Sequence, residues 1–584
     1  MVKGRAAEST DVSDTIQSVE SAHAGNGWPL LISLLILAAI PLLAFFLALP
    51  PQPKSKDVSI DEFSALRAFD FLKDLVSDGI PHPAGSQQNK VVRKKIVAML
   101  ESFGYDVSLQ ETEAAIRKTR TQADPDTIPL CNILARIDGA RDGPGIMLVT
   151  HFDSVPYGPG ASDDGVGVAA MLEVARMLKE QSAPKRPVIL LFTDGEEYGL
   201  LGAKKFVEQH AWAGDVGWVI NLEARGTKGP SIMFETGPES LSLVREFAGL
   251  SRRPVASSLF FEIYKQLPND TDFTVFKNYG IEGYNFAFIG DVKNYHTPDD
   301  NLAEVNLSSF QHHGENMWRL VSRLAYLDQM PTPQGRAVYF DLFGRLLCWW
   351  PASWSIWLTG LGGLFWIGSI VLNLQRREVS LLSLLGSTGC VLLLVSVVFG
   401  ASWLCDFTLR RDGRFDDLWP EYPLPLILSF WFSGLLMAAA LALFLQRAAT
   451  PQSHWSVVWL LWLAFSFLSS VYVTGASYLF IVPVLLAVLV QFVLVGLARI
   501  SFGWGGMLSL LAAGVVWLPL ELLFYDAVGF RLNLVLLVRV TLLMTVLWPL
   551  LCWTRIVVLW RLLAISAVLL IGCLAGSVLL PMFS

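Results

Sequence analysis

A chain of 584 residues that is 53% hydrophobic, carries 20 tryptophans and has a formal charge of −7 is too apolar for a single soluble domain and long enough for several. No basic tract runs through it, which excludes nucleic acid as a partner. Of six cysteines only Cys131 falls in the polar part of the chain, so a disulfide framework there is excluded while the redox compartment stays open.

Residues 1–27 read as a polar tail of mixed charge. WPLLISLLILAAIPLLAFFLALP, residues 28–50, is long enough to cross a bilayer, which takes about 20 apolar residues. Its length and its mixed-charge flank predict an uncleaved transmembrane anchor rather than a cleaved signal. Residues 57–330 then alternate strand-like apolar runs with helical patterns such as VGVAAMLEVARMLKEQ (166–181). The runs are IMLVTHF (146–152), VILLFT (188–193), GWVINLE (217–223) and YNFAFIG (284–290). Continuous apolar strands are covered on both faces, which predicts an α/β domain with a mostly parallel mixed sheet between helices. Ligands in such sheets gather at the carboxyl ends of the strands.

Residues 346–584 predict an all-α, multi-pass transmembrane bundle of about eight helices, with the lipid bilayer as partner. The candidate spans are 352–373, 381–404, 424–446, 455–474, 476–498, 503–525, 532–552 and 559–582. With the N-terminus in the cytoplasm, Arg376, Arg377, Arg447, Arg499 and Arg555 fall in cytoplasmic loops and the α/β domain lies outside. Arg410, Arg411 and Arg414 then lie outside, mixed with Asp406, Asp412, Asp416 and Asp417. Glu521 and Arg539 interrupt the apolar stretches, either as a functional pair or as one that holds two spans together.

Segments that end the strand-like runs carry metal-ligand residue types: HFDS (151–154) with GASDDG (160–165), DGEEYG (194–199), NLEARG (221–226) and YHTPDDN (295–301). Imidazole and carboxylate without thiolate is a donor set suited to zinc in a catalytic site. His151 and Asp153 are two apart, which on a strand puts both on one face and lets Asp153 hold the imidazole. Asp163 and Asp164 open a helix, where aspartate also serves as a cap. Two histidines and three carboxylates complete a two-metal set. His82 reads as structural, His312 and His313 as a solvated helix face, and Arg225 and Lys228 as solvated loop charges.

HFD, GASDDG, DGEEYGLLGA, NLEARG and YHTPDDN, in this order and spacing, resemble the zinc exopeptidase family that includes bacterial secreted aminopeptidases and glutamate carboxypeptidase. The anchor, domain and following bundle resemble its membrane branch, the endoplasmic reticulum metallopeptidase and vacuolar membrane protease group with their bacterial relatives. The resemblance implies His151, Asp163, Glu197, Glu223 and His296 as ligands of two zinc ions, with Asp163 bridging them. It implies Glu196 as general base and Asp153 as the residue that orients His151. Glu223 stands where some soluble relatives have aspartate. The implied activity is a metallopeptidase, an aminopeptidase acting on peptides outside the cytoplasm.

Two alternatives stay open at this level: a glutaminyl-cyclase-like enzyme with a single zinc, and a non-catalytic receptor or transporter-associated domain. The bundle is assigned no activity, and nothing in the chain sets an oligomeric state. The expected location is a bacterial inner membrane with a periplasmic domain; sequons at Asn269 and Asn306 keep an endoplasmic reticulum or vacuolar membrane as the alternative.

Overall fold

In the computed structural model, residues 27–583 are described except 117–125, 142, 268 and 414–416; most of the polar tail, Arg414 and Asp416 lie outside the described residues. Among the described residues there are ten strands: β1 (Val107–Ile116), β2 (Asp126–Ile137), β3 (Gly145–His151), β4 (Val188–Thr193), β5 (Val216–Ala224), β6 (Ile232–Thr236), β7 (Val255–Ala256), β8 (Glu282–Phe288), β9 (Ala337–Leu342) and β10 (Leu346–Pro351). The first eight form one sheet in the order β1-β2-β4-β3-β5-β8-β6-β7. Its centre, β4-β3-β5-β8, is parallel, while the pairs β1/β2, β2/β4 and β6/β8 are antiparallel. The expected α/β class holds as a mixed sheet, parallel through its middle and again in the β6/β7 pair at one edge.

Strand alternation explains why the central strands are apolar at every position. Ile146 and Leu148 of β3, with Val188, Leu190 and Phe192 of β4, pack toward the helices Ala65–Val76, Gly165–Lys179 and Leu307–Leu324. Met147 and Val149, with Ile189 and Leu191, pack on the opposite face toward Phe206 and Phe276 of the helices Leu201–Gln209 and Asp272–Asn278. Asp164 starts the helix Gly165–Lys179 as its cap, accepting the Gly167 N–H at 3.2 Å.

His312 and His313 overturn the expectation of a solvated helix face: both are buried. His312 Nδ1 accepts the Ser231 N–H at 3.1 Å and Nε2 lies 2.9 Å from the Arg253 carbonyl, while His313 Nδ1 meets Ser231 Oγ at 2.8 Å. Burial first of all pushes their pKa values down, to about 4 and about 3, so both rings are neutral. Their partners come from segments 59–82 positions away, and one helix pattern cannot reveal them.

Eight helices are long and apolar enough to cross a membrane among the described residues, including Trp28–Ala48 at the start. The candidate span 503–525 is not one helix but two, Phe502–Trp517 and Leu520–Val528, separated at Leu518 and Pro519. Glu521 and Arg539 do pair, with Arg539 Nη2 3.0 Å from Glu521 Oε2. The hairpin of β9 and β10 leads from the domain into the first helix of the bundle, Ser355–Gln375. The domain docks on the bundle through Ser257 Oγ and Tyr478 Oη at 2.8 Å, and through Ser258 Oγ, which donates to the Gly475 carbonyl at 2.6 Å.

Gly202 lies where the helix Leu201–Gln209 crosses the end of β4; a Cβ there would stand 2.5 Å from the Asp194 carbonyl oxygen and 2.7 Å from its nitrogen. Backbone atoms cannot turn aside as a side chain can. Gly202→Ala is therefore expected to destabilise the domain by about 1–3 kcal/mol, the usual cost of overpacking, read as a lowered midpoint in urea.

Candidate metal centre

The four parallel strands end on one edge of the sheet, and each brings a polar group there as its apolar run stops. β3 ends at His151 itself. β4 ends at Thr193 and turns through Asp194 and Gly195 into Glu196 and Glu197. Gly195 has φ 78°, a left-handed conformation that glycine adopts at no steric cost. β5 carries Glu223 one residue before its end. Beyond β8 a loop presents His296 at φ 59°, a region that histidine tolerates better than most side chains.

These groups converge on Asp163. His151 Nε2 lies 3.3 Å from Asp163 Oδ1 and 3.6 Å from Glu223 Oε2. His296 Nε2 lies 3.1 Å from Asp163 Oδ2 and 3.1 Å from Glu197 Oε2. Asp163 is thus shared, one oxygen to each histidine–carboxylate group. All five expected ligand residues come together, with Glu196 beside them near His151 and Glu197. His82 is buried and takes no part in these groups; its backbone N–H donates to Ser154 Oγ at 2.8 Å.

His151 is oriented by Asp153, but through the backbone: Nδ1 lies 3.0 Å from the Asp153 carbonyl oxygen, which only accepts. Nδ1 therefore carries a proton, and Nε2 is the nitrogen that faces Asp163 and Glu223. The Asp153 carboxylate has a different task. Oδ1 accepts the Glu196 N–H at 3.0 Å and Oδ2 the Glu197 N–H at 3.3 Å, so it clamps the turn that carries both glutamates. Asp300 clamps the other side in the same way, accepting from the Ser162 N–H at 2.7 Å and the Asp163 N–H at 3.1 Å. Hydrogen bonds to a charged acceptor contribute about 1.5–3 kcal/mol each.

Two further acids support the turn. Asp194 accepts from the Cys131 N–H at 2.9 Å and from Asn89 Nδ2 at 3.0 Å, and Asp272 accepts from the Thr193 hydroxyl. Asp194 and Asp300 sit inside the segments already noted in the sequence. Asp272 does not; locally it reads only as an acid in the first turn of a helix capped by Thr271.

Burial pushes the Glu196 carboxyl well above its ordinary pKa, with Glu223, Asp272 and Glu197 adding to it against the pull of His151. Burial and then Asp163 lift Glu197 to about 7. Asp163 goes the other way: burial alone would raise it, but His151 and His296 bring it to about 2. For His296 the lowering by burial is outweighed by Asp163 and Glu197, which lift it to about 10. The residues fit a divalent cation. Ligand atoms in each group lie within 4.8 Å of one another, Glu197 Oε1 is buried without a hydrogen-bond partner, and the imidazole and carboxylate donors suit zinc.

Asp163, Glu196 and Glu223 also form one end of a cavity of about 130 Å³. Arg225, expected as a solvated charge, is half-buried on its wall. With the Asn269 amide turned so that its oxygen faces the guanidinium, it accepts from Arg225 Nη1 at 2.7 Å. Lys228 is exposed, paired with Asp291 at 2.7 Å.

Over 313 residues the chain is 32% identical to endoplasmic reticulum metallopeptidase 1 of Mus musculus, covering 50% of this chain and 34% of that protein. Over 225 residues it is 33% identical to vacuolar membrane protease of Eremothecium gossypii, covering 38% and 22%. The chain thus spans about a third or less of the length of these curated relatives. Among solved structures it is similar to an aminopeptidase from Aneurinibacillus sp. strain AM-1, with a TM-score of 0.39 at 15% identity over 47% of this chain and 98% of that one. Residues 132–321, which include every one of the clustered residues, match Peptidase family M28.

Proposed function

We propose that the chain is a membrane-anchored di-zinc metallopeptidase that hydrolyses peptide bonds outside the cytoplasm as an aminopeptidase. The observation that carries this reading is the sharing of Asp163 between two histidine–carboxylate groups, with Glu196 beside both. His151, Asp163 and Glu223 would hold one ion, and Asp163, Glu197 and His296 the other. Bound zinc would supply Lewis acidity, acidifying water and polarising a carbonyl oxygen.

The chain's own residues do the rest. Glu196, outside the two groups that share Asp163, takes the proton of the attacking water and returns it to the leaving amine. A carboxyl whose pKa is lifted by burial is matched to both halves of that task near neutral pH. Asp153 holds Glu196 and Glu197 by their backbone, which keeps a base and a ligand in adjacent positions without exchanging their roles. The names of the two membrane relatives, a metallopeptidase and a protease, support the reaction class; the aminopeptidase direction rests on the motif resemblance.

The orientation in the membrane is part of the proposal. Arg376 reaches the carbonyls of Val495 and Gly496, and Thr450 Oγ1 donates to the Glu378 carbonyl at 2.8 Å, so the arginine-bearing loops gather at one end of the bundle. The peptidase domain docks at the other, near Gly475 and Tyr478. Cytoplasmic arginines then leave the domain in the periplasm or a lumen.

Glu196→Gln is expected to keep its zinc while turnover falls by about 10²–10⁴-fold, the usual loss of a general base. Glu197→Gln should instead lose zinc, with activity partly recovered by added metal, because an amide replaces an anionic ligand poorly. Metal analysis beside kinetics separates the two, and a reversal of the zinc contents would exchange their roles. Asp300→Asn leaves one acceptor oxygen for two backbone N–H groups, and zinc affinity measured against a competing chelator is expected to fall about 10–100-fold. In sealed spheroplasts, external protease should cut within residues 57–330 and spare the loop at Arg376; the opposite pattern would invert the topology.

A further inference from the structure

We propose that the membrane bundle builds one wall of the substrate pocket and thereby selects peptides with a bulky apolar side chain, of leucine or phenylalanine size, beside the bond to be cut. The inference rests on the peptidase reading and adds to it a substrate class and the residues that set it.

The cavity that opens from Asp163, Glu196 and Glu223 is apolar along its body. Phe234 of β6 and Ile263 of the helix Ser258–Tyr264 line it from the domain. Phe524, Ala527 and Val528 line it from the helix Leu520–Val528, which belongs to the bundle. Its volume of about 130 Å³ is close to the ~150 Å³ at which an apolar cavity takes up benzene, so it accommodates one large side chain. Charged and apolar surfaces therefore meet in one space: the carboxylates at one end face the reacting bond, and the apolar body receives what stands next to it.

The two walls are held against each other. Phe260 and Phe524 meet edge to face with ring centroids 6.5 Å apart. Ser258, at the start of the helix that carries Phe260 and Ile263, donates to the Gly475 carbonyl of the bundle at 2.6 Å. A Cβ on Gly475 would stand 2.7 Å from Glu262 Cγ and 2.8 Å from the Ser258 carbonyl oxygen, so no other residue permits this approach. On the bundle side the Arg539 guanidinium lies 5.4 Å from the centre of the Phe524 ring and 3.0 Å from Glu521, which fixes that ring from behind. A wall pinned from both sides discriminates by size, whereas a loose one would yield to whatever entered.

The test uses the full chain, zinc-loaded in detergent micelles, with trileucine and trialanine, which offer the same side chain on either side of each bond. A missing methylene in an apolar pocket changes specificity by about 10–200-fold, so wild type should favour trileucine in kcat/KM by at least about tenfold. Ala527→Trp fills the pocket and should lower the trileucine-to-trialanine ratio by about tenfold or more. Phe524→Ala enlarges it and should raise triphenylalanine relative to trileucine. If both variants leave these ratios within about twofold of wild type while peptides are still cleaved, the pocket assignment is wrong and the peptidase reading stands. If wild type cleaves no peptide, the peptidase reading falls, and binding decides the pocket alone. Trileucine should then bind the Glu196→Gln chain in calorimetry and bind about tenfold more weakly when Ala527→Trp is added; absent or equal binding overturns the proposal.

Discussion

The structure is organised around the repulsion among carboxylates that have been brought together out of water. Asp163, Glu196, Glu197 and Glu223 share one pocket at the ends of four strands. Two like charges about 4 Å apart cost roughly 4 kcal/mol at the effective dielectric of a protein near its surface, and burial adds to that. The chain meets this cost with positive charge and with backbone hydrogen bonds. His151 and His296 each face two carboxylates, and the shared aspartate is the one acid in the group whose ionised form is favoured. A site so rich in negative charge is primed for divalent metal, because a cation removes the repulsion that the fold has accumulated.

Holding the charges apart by fixed distances is a task for the backbone more than for side chains. Asp153 and Asp300 each accept two consecutive N–H groups, one pair from the Glu196–Glu197 turn and one from Ser162–Asp163. Two acceptor oxygens against two neighbouring donors fix the direction of a peptide segment as well as its position. Adjacent glutamates on a clamped turn are then held in fixed and separate positions, as the proposed division of work between them requires. The rigid centre β4-β3-β5-β8 supplies the base on which both clamps stand.

Much of this was legible in the chain. Apolar runs that stop at HFD, DGEE and NLE announce strand ends, and the sheet puts the carboxyl ends of parallel strands on one edge, while the choice of the five clustered residues and Glu196 rests on the resemblance of the motifs to the zinc exopeptidase family. Contacts between distant segments were hidden. Nothing near His312 or His313 tells that Ser231 and Arg253 will take up their ring nitrogens. Asp272 reads as a helix-start acid, and only the fold brings it to Thr193. Hydropathy saw 503–525 as one span because it measures apolarity and not direction; the break at Leu518 and Pro519 is a matter of backbone geometry. Arg225 looks solvated until a second domain stands opposite it.

That opposite domain also explains a pair of charges placed where charges are expensive. Arg539 is buried in the bundle, with its guanidinium on Glu521 at 3.0 Å and on the Trp517 carbonyl at 2.8 Å. Desolvating two ions offsets most of their attraction, so a buried pair contributes little to stability compared with an apolar pair of equal size. Position is what this arrangement does provide, since the hydrogen bond to the Trp517 carbonyl is directional and, with the ion pair, resists rotation and sliding where apolar contacts do not. Trp517 ends one helix, Glu521 opens the next, and Arg539 on a third joins them across the break at Leu518 and Pro519. The short helix that follows carries Phe524, Ala527 and Val528 to the edge of the α/β domain. A helix of nine residues severed from its neighbour has little stability of its own, and the ionic tie at its first turn sets where its far end meets the domain.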